Sequence, residues 1–273
     1  MPELPEVENT RCYLAQAGLS GRRFIGANIG WAKTVRTPSL EDFVLGLTGG
    51  AVQAVNRRGK YLLLPLRRGD SRTPLTLIIH LGMTGGLQVH PRSEPEPRML
   101  RHTFYLDDGR ELRFVDGRKF GKLWLASDSD DVLPVLGPDP LGDDFTADTL
   151  ARSLDGRIAP IKALILEQSI AAGIGNLYAD ESLFLADIHP LRPASDLSGD
   201  EISRLRDGIV AALSAAVALY DKSRANGQPD PPTELNAWTI PRKPGDPCPR
   251  CGCPIDAIRV RGRGTCFCAG CQR

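Results

Sequence analysis

The sequence predicts an α+β protein: an N-terminal helix and an antiparallel β-sandwich, then a helical domain and a cysteine-rich ribbon. Three observations lead to this prediction. Short β-rich runs separated by turn signals occupy residues from about 23 to 126. Helical patterns follow a Gly- and Pro-rich linker at residues 137–142. Six of the seven cysteines lie within residues 248–273, which is typical of a small domain built around its thiols.

The first half of the chain is predicted to begin with a helix and to continue in strands. Leu4, Val7, Leu14 and Ala15 are near helical spacing, which predicts a helix over residues 3–17. The apolar runs that predict strands are residues 61–64, 75–79, 103–106, 111–115 and 122–126. Turn residues at 68–70 and 107–109 separate some of these runs. Many short strands of this kind predict a sandwich or a barrel-like domain.

The second half of the chain is predicted to be helical as far as the cysteines. The predicted helices are residues 148–154, 161–168, 179–185 and about 199–220. Ser198 is a predicted N-cap of the last helix, and Glu201 completes a capping box with it. Residues 226–232 end that helix. The predicted domains are therefore 1–137, 138–237 and 238–273.

The composition is that of a globular protein, with 41% hydrophobic and 25% charged residues among 273. No apolar run approaches the ~20 residues that a membrane span needs. The N-terminus lacks the basic stretch and apolar core of a signal peptide. The clustering of the cysteines favours a metal site in a reducing compartment over a secreted disulfide framework.

The net charge of +1 does not suggest a nucleic-acid partner, but the distribution of charge does. Residues 242–273 contain seven basic residues against two acidic ones. Residues 57–68 contain five basic residues and no acidic one. Local patches of this kind neutralise phosphates, although each patch taken alone also fits a solvated basic face.

The cysteine spacing predicts a metal site. Two C-x2-C pairs separated by sixteen residues supply the four thiolates of a tetrahedral zinc ribbon: Cys248, Cys251, Cys268 and Cys271. Cys253 and Cys266 are off this pattern and are predicted not to be ligands. Four protein ligands leave no open position, so one structural Zn²⁺ per chain is expected.

The first residues predict a nucleophile. If Met1 is removed, Pro2 becomes a free secondary amine with a reference pKa of roughly 8, so part of it is neutral at pH 7. Such an amine attacks an electrophilic carbon and forms an iminium, which is a strong electron sink. Glu3 beside it is a ready proton donor or acceptor. The alternative is an N-terminal arm before a helix with proline in its first turn.

Five motifs of this chain resemble the formamidopyrimidine-DNA glycosylase/endonuclease VIII family of base-excision repair enzymes. They are the opening at residues 1–8, Arg-Gly-Lys-Tyr at 58–61, His-Leu-Gly-Met-Thr-Gly at 80–85, Asp-Gly-Arg-Lys-Phe-Gly at 116–121 and the Gly-Ile-Gly-Asn segment within 172–184. Leu4 favours the formamidopyrimidine branch. The last motif is similar to the family's helix–two-turns–helix.

The resemblance implies a bifunctional DNA glycosylase and AP lyase. It implies that Pro2 attacks C1′, that Glu3 handles protons at the sugar, and that Lys60 assists base loss and β-elimination. Arg263 is implied to enter the minor groove and to assist δ-elimination. The residues implied to bind DNA are His80, Met83, His102, Arg118, Phe120, Arg157, Lys162 and Asn176.

The roles implied within the DNA-binding set differ. Met83, Arg118 and Phe120 would fill the void left by an everted nucleotide, with Arg118 facing the orphaned base and Phe120 wedging the stack. Lys162 and Asn176 would bind flanking phosphates; His80, His102 and Arg157 are further phosphate candidates. The implied partner is double-stranded DNA with oxidised bases or abasic sites. A monomer in the bacterial cytoplasm, with no organic cofactor and no membrane partner, is expected.

One segment departs from the family pattern. The stretch between Tyr220 and Trp238, which should cover an everted 8-oxoguanine, is short here and lacks the usual threonine pair. The expected substrates are therefore oxidised purines, namely formamidopyrimidines and hydantoins, with 8-oxoguanine excised more slowly. Two alternatives stay open: an endonuclease VIII-like enzyme for oxidised pyrimidines, and a non-catalytic protein that binds damaged DNA.

Overall fold

A computed structural model of the chain describes residues 1–69, 74–225 and 238–273. These residues divide into two compact units. The first unit contains Met1–Pro2 and Glu6–Pro134, and the second contains Glu3–Pro5, Val135–Ala225 and 238–273. The cysteine-rich segment thus groups with the helical segment. The division into three domains stays a prediction, and most of the shortened segment before Trp238 lies outside the described residues.

The first unit is built on two β-sheets. After helix α1 (Leu4–Gln16), its strands are β1 (Phe24–Ile29), β2 (Val35–Thr37), β3 (Ala51–Val52), β4 (Asn56–Arg58), β5 (Tyr61–Arg67), β6 (Leu75–His80), β7 (Gly85–Pro91), β8 (Leu100–Leu106), β9 (Arg110–Asp116) and β10 (Lys122–Ala126). One sheet has the order β1-β8-β9-β7 and the other the order β2-β10-β6-β5-β3, with β4 paired to β5. The pairing is antiparallel except between β2 and β10.

The two sheets contribute to one hydrophobic core. Leu62 and Ile79 come from the larger sheet, Phe104 and Phe114 from the smaller, and all four are fully buried. The alternation of buried and half-buried residues along β5 is what a strand with one covered face requires. The predicted antiparallel sandwich is confirmed.

A helix interrupts the stretch for which only strands were predicted. Helix α2 covers Leu40–Leu47, and the Ser39 hydroxyl caps it by accepting the amide of Asp42 at 3.1 Å. Phe43 and Leu47, four residues apart, are its buried side chains. The signal in the sequence was the serine before an acidic first turn, but eight residues are too few for periodicity to stand out.

The second unit consists of helices and a two-stranded ribbon. Its helices are α3 (Ala147–Leu154), α4 (Ile161–Ile165), α5 (Asn176–Leu185) and α6 (Gly199–Ala225), and its strands are β11 (Asp256–Val260) and β12 (Arg263–Phe267). Helix α4 ends three residues earlier than predicted, and α5 begins three residues earlier. The capping box of α6 is confirmed, because Ser198 and Glu201 exchange side-chain to amide hydrogen bonds of 2.8 and 3.3 Å.

None of the described helices combines the length and the apolar character that crossing a membrane requires.

Candidate functional site

The ribbon brings four thiols together. The Sγ atoms of Cys248, Cys251, Cys268 and Cys271 all lie within 4.8 Å of one another. Each pair sits on a tight turn, closed by the amide of Gly252 on the carbonyl of Cys248 and by the amide of Cys271 on the carbonyl of Cys268. Four converging thiols are a donor set that suits a tetrahedral metal ion. The predicted grouping is confirmed, and Cys253 and Cys266 are not in the set.

The strands of the ribbon meet in a two-residue turn. Arg261 and Gly262 both have positive φ, 48° and 76°, as the two central residues of a type I′ hairpin turn require. Arg263 is the first residue after the turn and pairs with Val260 across the hairpin. Its side chain is exposed. The backbone that carries Arg263 is therefore defined by the hairpin and by the group of four cysteines that follows it.

Lys162, predicted to bind a phosphate, is instead fully buried. Its ammonium is 2.6 Å from the carboxylate of Asp180, 2.7 Å from the hydroxyl of Thr265 and 3.3 Å from the carbonyl of Gly264. Arg242 binds the other carboxylate oxygen of Asp180 at 3.0 Å. Burial holds the pKa of Lys162 below its ordinary value, and the Asp180 charge opposes that shift. In this conformation Lys162 holds the ribbon rather than facing solvent.

Asn176 makes the same connection from the start of helix α5. Its side-chain amide donates to the carbonyl of Gly264 at 2.9 Å. Gly264 directly follows Arg263 in the chain. Lys162 and Asn176 therefore fix the peptide next to that arginine. Both were predicted to contact phosphates; in the described conformation both contact the ribbon.

Glu3 is buried, and its carboxylate caps helix α5. The two oxygens accept the amides of Leu177 at 3.0 Å and Tyr178 at 3.3 Å. Unpaired amides and the positive end of the helix dipole stabilise a carboxylate at this position. Gly175, the N-cap residue, leaves the room for it, because an added Cβ would lie 2.1 Å from Cδ of Glu3. The carboxylate of Glu3, the residue that follows the half-buried Pro2 in the chain, is thus held in one orientation.

Two loops of the first unit carry exposed apolar side chains. Met83 is 38% exposed and Phe120 is 49% exposed. The guanidinium of Arg118 lies 5.0 Å from the centre of the Phe120 ring. Lys119 between them has φ of 60°, a left-handed conformation that a residue with a side chain seldom adopts. Exposed side chains on a strained turn are typical of functional sites.

His80 and Lys60 lie at the ends of neighbouring strands. Lys60 is buried and directly precedes β5. The ring of His80 packs against Tyr61 with centroids 5.0 Å apart, and its Nδ1 accepts the amide of Gly82 at 3.1 Å. Burial, together with the charges of Lys122 and Lys60, lowers the pKa of His80 to about 4. His80 is therefore a neutral residue that supports the turn before Met83.

His102 does not reach the surface. It is 1% exposed and packs on Phe114 with ring centroids 5.4 Å apart. Neither ring nitrogen has a hydrogen-bond partner within the described parts of the chain. Burial lowers its pKa to about 4, which the charge of Asp116 only partly offsets. This burial argues against the predicted phosphate contact of His102.

Arg157 is on the surface of the second unit but is paired. Its guanidinium binds one oxygen of Glu167 at 2.8 Å, while Arg261 binds the other at 3.0 Å. The pKa of Glu167 lies below its ordinary value, mainly because of the hydrogen bond from Arg157. Glu167 and Asp180 were both missed in the sequence, where acidic residues in helical segments look like ordinary surface charges.

Two family models match the chain. The formamidopyrimidine-DNA glycosylase N-terminal domain covers residues 1–123, and the formamidopyrimidine-DNA glycosylase H2TH domain covers residues 136–226. Together with the sandwich and the helical unit, these matches define a two-part DNA glycosylase. The chain belongs to the formamidopyrimidine-DNA glycosylase family.

Individual relatives support the same assignment over the full length. The formamidopyrimidine-DNA glycosylases of Herpetosiphon aurantiacus and Roseiflexus are 43% and 42% identical, and each alignment covers 100% of both chains. Among solved structures, the Lactococcus lactis enzyme bound to AP-site DNA has a TM-score of 0.85 at 34% identity, covering 99% of each chain. MutM in complex with DNA containing carbocyclic 8-oxo-G has a TM-score of 0.87 at 35% identity, covering 100% of each.

Proposed function

We propose that this protein is a bifunctional DNA glycosylase and AP lyase that removes oxidised purines. The observation that carries the proposal is the fixed carboxylate of Glu3 next to Pro2, in a chain of this family. A carboxylate that is held by two helix amides and directly follows a potential amine nucleophile supports a role in proton transfer at the same sugar. Relatives have been solved with abasic and oxidised-lesion DNA, which supports the substrate class.

The chemistry begins when Met1 has been removed. The nitrogen of Pro2 attacks C1′ of the damaged nucleotide, the glycosidic bond between C1′ and the base breaks, and the base leaves with a proton taken from water. The Glu3 carboxylate accepts the proton that the Pro2 nitrogen loses and passes it to the ring oxygen as the sugar opens, so that the nitrogen and C1′ form an iminium. Lys60 assists base loss and the following β-elimination. Its burial directly before β5 supports this role, because a buried side chain has a defined position.

The iminium draws electrons from C2′. Loss of the C2′ proton breaks the bond between C3′ and its phosphate oxygen, and a second elimination breaks the bond at C5′. We assign help in the second step to Arg263. Hydrolysis of the iminium returns the free Pro2 amine. The strand is then cut on both sides of the lost nucleotide.

DNA recognition is assigned to the two exposed loops and to basic residues. Met83, Arg118 and Phe120 enter the gap as the damaged nucleotide turns out, which costs a few kcal/mol of stacking. Basic residues track the phosphates and give salt-dependent binding without sequence preference. The four cysteines would hold one Zn²⁺, whose closed shell serves to stiffen the hairpin that carries Arg263. We assign catalysis to residues 1–137, duplex binding to 138–237 and the ribbon to 238–273.

Borohydride trapping tests the nucleophile. Borohydride reduces the iminium to a stable amine, so lesion-containing DNA should become covalently joined to Pro2 in a peptide map. The matched control carries a cleavable extension before Pro2: it should not be trapped, and removal of the extension should restore trapping. Trapping that persists with the extension in place would show that another amine reacts.

A lesion panel separates this function from the main alternative. Single-turnover excision is measured on duplexes that differ only in the lesion: a formamidopyrimidine, a hydantoin, 8-oxoguanine and an oxidised pyrimidine. The shortened segment before Trp238 leads us to expect formamidopyrimidine and hydantoin first, because fewer polar groups would pair with 8-oxoguanine. Faster excision of the oxidised pyrimidine would instead favour the endonuclease VIII-like function.

A further inference from the structure

The two exposed loops of the first unit leave the same end of two paired strands. Asp116 ends β9 and faces Gly85, which begins β7. We call residues 81–84 the methionine loop and residues 117–120 the arginine–phenylalanine loop. The loops touch through their backbones, because an added Cβ on Gly82 would lie 2.5 Å from the carbonyl carbon of Phe120. The two loop backbones are therefore in direct contact.

A single buried carboxylate joins these loops. Asp116 is 1% exposed, and its Oδ1 accepts the hydroxyl of Thr84 at 2.6 Å and the amide of Arg118 at 3.1 Å. Its Oδ2 accepts the amide of Gly121 at 2.8 Å. The Thr84 hydroxyl also accepts the amide of Arg118 at 3.1 Å. One carboxylate and one hydroxyl thus connect the methionine loop to both ends of the other loop.

This arrangement offsets the strain of the arginine–phenylalanine loop. Lys119 in its centre has φ of 60°, a left-handed conformation that is strained for a residue with a side chain. Burial by itself raises the pKa of Asp116, but the hydrogen bonds from Thr84 and from the loop amides outweigh it and the pKa is lowered. The loop therefore favours the ionised carboxylate.

We propose that Asp116 and Thr84 are positioning residues that hold Met83, Arg118 and Phe120 as one preformed wedge. The inference rests on the proposed function of those three side chains. Asp116 is buried, so it acts through the loop backbone and not on DNA. Side chains that are fixed before binding lose less conformational freedom when they enter the duplex. The lower entropic cost should therefore speed the step in which the damaged nucleotide turns out and these side chains enter the gap.

The test compares two substrates in single-turnover reactions. Asp116→Asn keeps the size of the side chain but replaces one acceptor oxygen by an amide NH2 group, which is a donor and would face the donors that now bind the carboxylate. We expect it to slow excision of an oxidised purine by about tenfold or more, since a hydrogen bond to a charged group is worth about 1.5–3 kcal/mol. Cleavage of a preformed abasic site, where no base has to be unstacked, should fall less than about threefold.

Two further variants and one control sharpen the result. Thr84→Val should give a smaller loss with the same substrate dependence, and Thr84→Ser should restore the wild-type rate. Thr76→Val, in β6 of the same unit, should change neither rate. A 2-aminopurine placed next to the lesion reports unstacking by fluorescence, and its rise should slow in Asp116→Asn. A change in thermal stability alone would not move that rate.

Phe120→Ala separates the failure of this inference from failure of the proposed function. If Phe120→Ala loses excision selectively but Asp116→Asn and Thr84→Val do not, the inference is overturned and the wedge stands. If Asp116→Asn slows both substrates equally, the carboxylate is structural and the inference is overturned as well. If Phe120→Ala itself loses both activities equally, the wedge function and the inference fall together.

Discussion

Replacing Gly175 by alanine should disable the enzyme through Glu3. The backbone of Gly175 is extended, with φ of −122°, so alanine meets no backbone strain there. What alanine meets is Glu3: its Cβ would lie 2.1 Å from Cδ and 2.3 Å from Oε1. Contacts this short cannot persist, so the carboxylate must leave the amides of Leu177 and Tyr178.

The size of the effect follows from the two lost hydrogen bonds. Each amide-to-carboxylate bond is worth about 1.5–3 kcal/mol, so the free energy of unfolding should fall by about 3 kcal/mol or more. A catalytic group moved by about 1 Å can cost about 100-fold in rate. We therefore expect both excision and abasic-site cleavage to fall by about 100-fold, measured under single-turnover conditions beside denaturant unfolding.

The control distinguishes a local collision from a general effect of alanine. Gly199 begins helix α6 and has open space around its Cβ position, so Gly199→Ala should leave both rates unchanged. In a Glu3→Ala background the collision partner is gone, and Gly175→Ala should then cost little further stability. Wild-type activity in Gly175→Ala, or an undiminished loss of stability in the Glu3→Ala background, would refute the reasoning.

Three further predictions concern the ribbon and the buried histidine. Cys268→Ser should abolish the proposed binding of Zn²⁺, measured by elemental analysis, and weaken DNA binding, because the hairpin that carries Arg263 loses its anchor; full affinity in metal-free protein would contradict this. Lys162→Met leaves Asp180 with Arg242 as its charged partner and should lower the free energy of unfolding by about 3–5 kcal/mol, whereas Lys162→Met combined with Asp180→Leu should recover part of it; an unchanged unfolding curve would count against a buried ion pair. The pKa of His102 is lowered to about 4 in the folded state, against about 6.5 in the unfolded chain. The free energy of unfolding is therefore unaffected by this histidine above pH 6.5 and falls as the pH decreases towards 4, because the unfolded chain then binds the proton more readily. That loss amounts to about 3 kcal/mol, and His102→Leu should flatten the decline of stability between pH 6.5 and 4, with an unaltered slope as the contrary result.

Local patterns in the sequence were enough to predict most elements. The apolar run at the start of β5, the capping box at Ser198 and Glu201, and the two C-x2-C pairs all act over a few residues, and all were confirmed. Helix α2 was not predicted, because its eight residues are too few to show a clear helical periodicity. The end of α4 and the start of α5 each differ from the prediction by three residues, and Gly175, whose N-cap position is occupied by the Glu3 carboxylate, precedes the observed start of α5.

The environment of the polar site residues depends on tertiary structure. Lys162 and His102 look like surface residues in the sequence, since the types of their neighbours do not reveal burial. In the folded protein Lys162 meets Asp180 and the carbonyl of Gly264, and His102 lies against Phe114. These partners are distant in the chain or on the neighbouring strand, so no local pattern could have predicted them.

The sequence by itself determined the family, most of the elements, the group of four cysteines and the candidate nucleophile Pro2, because each depends on residue type and short spacing. Only the tertiary structure decided that the carboxylate of Glu3 caps helix α5, that Lys162 and Asn176 hold the ribbon, and that Asp116 joins two loops. Each of these contacts joins residues far apart in the chain, and its strength comes from burial and from hydrogen-bond geometry, which exist only once the chain has folded.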